Sequence, residues 1–174
     1  MSLDQVVGQE LEWSQPEFMR RYFTLRNDSG ELATLRFDSR SLATGECDGA
    51  SWTFKRTGFL SPKVTVRAVG SEVELAVFTP TGMGGGSVVF SSGARFQMRS
   101  KNFWRTEWVF ESEDGSVLAT LAGRPHVFKD GGVATVAQLA AHLPETPVLL
   151  LLLWYVRIIM HEESAASAAI VAVS

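Results

Sequence analysis

Cysteine is almost absent from this chain: Cys47 stands alone among 174 residues. One thiol excludes a disulfide framework, and it excludes a zinc site built on the cysteines of one chain. Surplus positive charge is absent as well. Sixteen Lys and Arg face 19 Asp and Glu, a net charge of -3, so no global basic field draws the chain to nucleic acid. Met1 to Glu10 holds neither a basic stretch nor an apolar one, so no signal peptide is expected. A cytoplasmic location agrees with the single free thiol.

Long hydrophobic runs are absent except for one. Residues 147–160, PVLLLLLWYVRIIM, are 14 residues and make roughly 21 Å of helix. A bilayer core of about 30 Å asks for about 20 apolar residues. Glu145 before the run and Glu162–Glu163 after it supply no basic flank. The run therefore predicts a helix buried on all its faces. The alternative is a membrane anchor, with 147–160 in the bilayer and the remainder as a cytoplasmic head.

What surrounds such a helix is written between Arg20 and Lys129, where apolar residues recur with period two. Phe23 and Leu25, Leu35 and Phe37, Trp52 and Phe54, Val64 and Val66, Phe96 and Met98, Trp108 and Phe110 each alternate with polar neighbours. Asn27-Asp28-Ser29-Gly30 and Glu113-Asp114-Gly115 are hairpin turns. About eleven such strands are too many for a flat sheet with bare edges, so closure is expected. The hairpins Tyr22–Phe37 and Glu107–Ala122 echo each other about 85 residues apart, which suggests two related halves. Beyond Gly132 the composition turns helical over Val133–Leu143, and Thr146 is placed as the N-cap of the apolar helix. Residues 170–173 suit a last strand or a frayed end.

Tyr22 to Leu25 running into Asp28-Ser29-Gly30, Arg105 to Trp108 running into Asp114-Gly115, and the helix Leu149–Met160 together resemble the tubby C-terminal-like superfamily. That superfamily also holds LURP-one-related proteins and phospholipid scramblases. The likeness spans about residues 15–162 and implies a closed antiparallel β-barrel of about 12 strands enclosing a hydrophobic C-terminal α-helix. It sets the organisation as an N-terminal segment 1–14, a barrel 15–163 with its helix at about 147–161, and a tail 164–174. Arg157 is then expected at the barrel mouth, paired or solvated.

Candidate chemistry is sparse. Thr81 to Ser87, TGMGGGS, lacks the lysine of a phosphate-binding P-loop; it is a hairpin loop, with a cradle of backbone amides as the alternative. His126, His142 and His161 show no metal-ligand spacing. Cys47 between Glu46 and Asp48 has its thiolate disfavoured. The acidic group Glu111, Glu113 and Asp114 fits a solvated face. Arg95, Arg99, Lys101 and Arg105 fall in a stretch without acid, beside Phe103–Trp104, and suit an anionic lipid headgroup. The resemblance points the same way, because tubby domains bind phosphoinositides.

The expectation is a non-enzymatic binding or scaffold protein. Its partner is an acidic phospholipid headgroup at a membrane surface, or a protein. Cofactor, metal and nucleic acid have no place in it.

Overall fold

The computed structural model describes residues 3–58, 60–81, 84–102, 106–125 and 130–173. Twelve strands follow one another antiparallel: β1 (Leu11–Ser14), β2 (Tyr22–Asn27), β3 (Gly30–Phe37), β4 (Leu42–Cys47), β5 (Ala50–Thr57) and β6 (Lys63–Ala68). The second six are β7 (Glu74–Thr81), β8 (Gly85–Phe90), β9 (Arg95–Ser100), β10 (Glu107–Ser112), β11 (Val117–Pro125) and β12 (Asp130–Val136). β1 pairs with β12 from Leu11↔Ala134 to Ser14↔Gly131, and the sheet closes into a barrel. Closure leaves no edge strand with unpaired amides.

Helix α1 (Thr146–Val173) runs through the barrel. Leu149 to Tyr155 are buried on every side, where the barrel wall replaces water. The inward strand positions supply that wall: Leu11 and Trp13, Phe23 and Leu25, Phe54, Phe78, Met98 and Phe110 are all buried. Each fully buried leucine or aromatic contributes about 1.5–3 kcal/mol by leaving water. Residues 147–160 are thus the core of the barrel. Among the described residues no helix is long and apolar enough to cross a membrane.

Several local expectations are corrected. Val133–Leu143 is not a helix. Its first part is β12, with β-branched Val133, Thr135 and Val136 between β1 and β11, and only Gln138–Ala140 forms a 3₁₀ turn. The N-terminal segment belongs to the barrel, since β1 closes it and Leu3 and Val6 join its core. Thr146 does not cap α1 with its hydroxyl, which donates to the Ala140 carbonyl at 2.6 Å. Residues 170–173 continue α1 instead of adding a strand.

The internal echo proves threefold. The ladder shifts register at Leu25/Arg26 in β2, at Val66/Arg67 in β6 and at Phe110/Glu111 in β10, once every fourth strand. The following strand carries Leu32-Ala33-Thr34-Leu35, then Leu75-Ala76-Val77-Phe78, then Leu118-Ala119-Thr120-Leu121. The next pairs match as well: Phe37↔Ala43, Pro80↔Gly86 and Gly123↔Gly132. Each unit's fourth strand follows a glycine of positive φ, namely Gly49 (77°), Gly93 (92°) and Gly8 (74°). Each then turns two apolar residues inward: Trp52 and Phe54, Phe96 and Met98, Leu11 and Trp13. β1 is therefore the fourth strand of the last unit, displaced to the start of the chain.

Candidate functional site at the helix-exit end

Antiparallel succession sorts the connections into two groups. Connections 28–29, 48–49, 69–73, 91–94 and 113–116 lie at the end where α1 begins, as the contact of Ser92 with Glu145 confirms. They hold Asp28, Asp48, Glu72, Glu113 and Asp114 and no lysine or arginine. Exposed Val69 and Val73 at this end flank Glu72.

Connections 15–21, 38–41 and 58–62 lie at the opposite end, where α1 leaves the barrel. They raise large apolar side chains into solvent: Phe18 is 58% exposed, Met19 88% and Leu60 91%. Exposed cations stand around them: Arg20, beside Glu17 at 3.0 Å, Arg40, Lys63 at the start of β6 and Lys101 at the end of β9. Phe18, Met19 and Leu60 thus hold apolar area in water, while the cations around them are well hydrated.

The helix is fastened at this same end. Arg21 meets Glu162 at 2.8 Å and its guanidinium stands 4.1 Å from the Phe37 ring centroid. Arg56 pairs with Glu163. The Tyr155 hydroxyl donates to the Ser41 carbonyl at 2.6 Å and accepts the Arg56 amide at 3.1 Å. Burial pushes the Tyr155 phenol up to about 12, so it stays a neutral strut. Beyond Glu163 the backbone of α1 continues helical to Val173, about 15 Å further.

The described headgroup residues expected from sequence do not form one patch. Arg95 and Arg99 point outward along β9, on the side of the barrel, and Lys101, just beyond the strand, lies at the helix-exit end. Arg99 pairs with Glu111 of β10 at 3.2 Å, and the Lys101 amide donates to the Glu107 carbonyl. A stretch free of acid in the sequence thus has acids beside it in the sheet. Arg105, with Phe103 and Trp104, lies outside the described residues, as do His126 and Gly82–Met83.

Arg157 lies at the level where the helix leaves the barrel, but it is buried there: it is 7% exposed, with its guanidinium 4.6 Å from the Trp154 ring centroid. It fills the space that Gly123 leaves, since a Cβ there would stand 3.1 Å from Nε. Gly85 and Gly86 are strand residues of β8. A Cβ on Gly86 would come within 2.5 Å of the Phe78 ring, so its need is close packing. The Cys47 thiol is buried and pushed up to about 12 by desolvation and by Asp48. Among the described residues no three His, Cys, Asp or Glu side chains come together as a metal site.

The sequence matches no family model and no curated protein. The fold is similar to the crystal structure of a protein from Arabidopsis thaliana, with a TM-score of 0.52 at 13% identity. The match covers 86% of this chain and 94% of the other. At that identity the likeness concerns the fold alone.

Proposed function

We propose that this chain is a non-enzymatic binding protein of the tubby-like, LURP-one-related kind, which docks on acidic phospholipid surfaces through the helix-exit end of its barrel. One observation carries the reading: apolar tips and cations share that end, while the acidic connections occupy the other. Phe18, Met19 and Leu60 enter the boundary between headgroups and acyl chains, and each gains by its apolar area. Arg20, Arg40, Lys63 and Lys101 then lie within a Debye length of the lipid phosphates, where each basic residue is worth about 1 kcal/mol. Repulsion of the acidic end fixes the orientation.

Vesicle co-sedimentation tests it. The protein should pellet with phosphatidylserine-containing vesicles and remain in solution with phosphatidylcholine alone. Phe18→Ser, Met19→Ser and Leu60→Ser combined should abolish pelleting without moving the melting midpoint. Failure to bind anionic vesicles sinks the reading. Loss of binding in Arg95→Glu with Arg99→Glu, the loop variant binding normally, transfers the site to the face of β9.

A further inference from the structure

The threefold wall is unequally filled where the helix leaves it. Phe37, Pro80 and Gly123 occupy equivalent positions, each facing the small inward residue of the next strand. In the first unit the Phe37 ring lies flat on Tyr155, centroids 5.4 Å apart and planes 6° apart. In the third, glycine offers nothing and the Arg157 guanidinium takes the place. In the second, Pro80 stands where the aromatic ring stood, and no described side chain fills the gap. A cavity of about 230 Å³ opens there. Val64, Phe78 and Pro80 line it from the barrel, and Val156, Ile159 and Met160 from the helix. Arg56 and Glu163 edge it.

We infer that this cavity binds a small aromatic carboxylate, with its ring between Phe78 and Ile159 and its carboxylate on Arg56. Size is the first reason. An apolar cavity of about 150 Å³ holds benzene, so this one holds a ring with a short acid side chain. Charge is the second. The Arg56 guanidinium already takes a carboxylate, that of Glu163, and both side chains are partly solvent-exposed. An incoming carboxylate replaces Glu163 without stranding a buried charge. The molecule itself supplies the third. At the equivalent place Phe37, Arg21 and Glu162 already combine a ring, a guanidinium and a carboxylate. The inference needs no membrane and stands apart from the lipid reading.

The probe is 3-phenylpropanoate, titrated into the full chain without lipid and followed by calorimetry and ligand-observed NMR, with octanoate as comparator. Saturable binding of phenylpropanoate, tighter than octanoate, is the expected result. Arg56→Gln should weaken it about tenfold, the loss of a charge-assisted pair. Pro80→Phe supplies the missing ring covalently, so it should abolish binding while the melting midpoint holds or rises. If that variant does not fold, Met160→Trp blocks the same cavity from the helix. Unchanged binding in the blocked variant overturns the inference. So does octanoate binding as tightly as the aromatic acid, or no saturable binding at millimolar concentration.

Discussion

The indole of Trp154 lies flat on that of Trp13, ring centroids 5.0 Å apart and planes 5° apart. The central helix is thereby stacked on the four-residue strand that closes the barrel between β12 and β2. So short a strand has little ladder of its own, and its position depends on what its side chains meet inside. Trp13→Ala should therefore cost about 3–5 kcal/mol, a buried aromatic lost together with its cavity. Urea unfolding followed by far-UV circular dichroism measures it. A cost under about 1 kcal/mol means that the ladder alone closes the barrel.

Alkaline pH should unfold this protein by a route acid does not share. Burial raises both the Cys47 thiol and the Tyr155 phenol to about 12, from ordinary values of 9.0 and 10.0. Both groups are neutral when protonated, so the unfolded chain gives up these protons first. The stability they support is whole below about pH 9 and declines as pH rises toward 12. Cys47→Ala should flatten the lower part of that decline in denaturation midpoints measured from pH 8 to 11. Identical slopes for the two proteins would refute the thiol's share.

Much of the barrel was legible because alternation and turn residues are local signals. Val64 and Val66 reveal an inner face without help from any other strand. The wall's second unit was harder, since Pro80 and Gly85 stand where the first has Phe37 and Leu42 and so break the likeness. Val133 to Val136 favours a strand by its β-branched residues, but it runs straight into helix-forming Ala137 to Leu143, and pairing with β1 and β11 marks where the strand ends. The candidate site was hidden for another reason. Phe18 and Leu60 are 42 positions apart (60 less 18), and they share one end because the connections that carry them are an even number of strands apart. Sheet order, not residue type, brings them together.

The ion pairs at the helix exit should be unequal to their prominence. Arg21 and Glu162 are each about one-third exposed and 2.8 Å apart, so water and salt screen them. A double-mutant cycle should assign the pair less than about 1 kcal/mol. Arg21→Met should nevertheless cost more than Glu162→Gln, because the guanidinium also stands against the Phe37 ring. Equal costs for the two single variants contradict that ring contact.

Gly132 sets how closely the wall approaches the helix. A Cβ there would stand 2.9 Å from the Trp154 six-membered ring and 3.0 Å from the Ala122 carbonyl oxygen. Trp154 cannot retreat, because Trp13 is stacked on it and Phe23 meets it edge-on at 5.6 Å. Gly132→Ala should consequently destabilise by about 1–3 kcal/mol through overpacking. Trp154→Phe shortens the side chain at the point of collision, and by itself it opens a cavity. Each substitution is then costly alone, while together the added methyl enters space that the indole vacated. The double variant should be more stable than the sum of the two losses implies, a coupling of about 0.5 kcal/mol or more. Strict additivity in chemical denaturation would place the collision on the Ala122 carbonyl instead, and it would make the backbone of β11 the limit on the barrel's width.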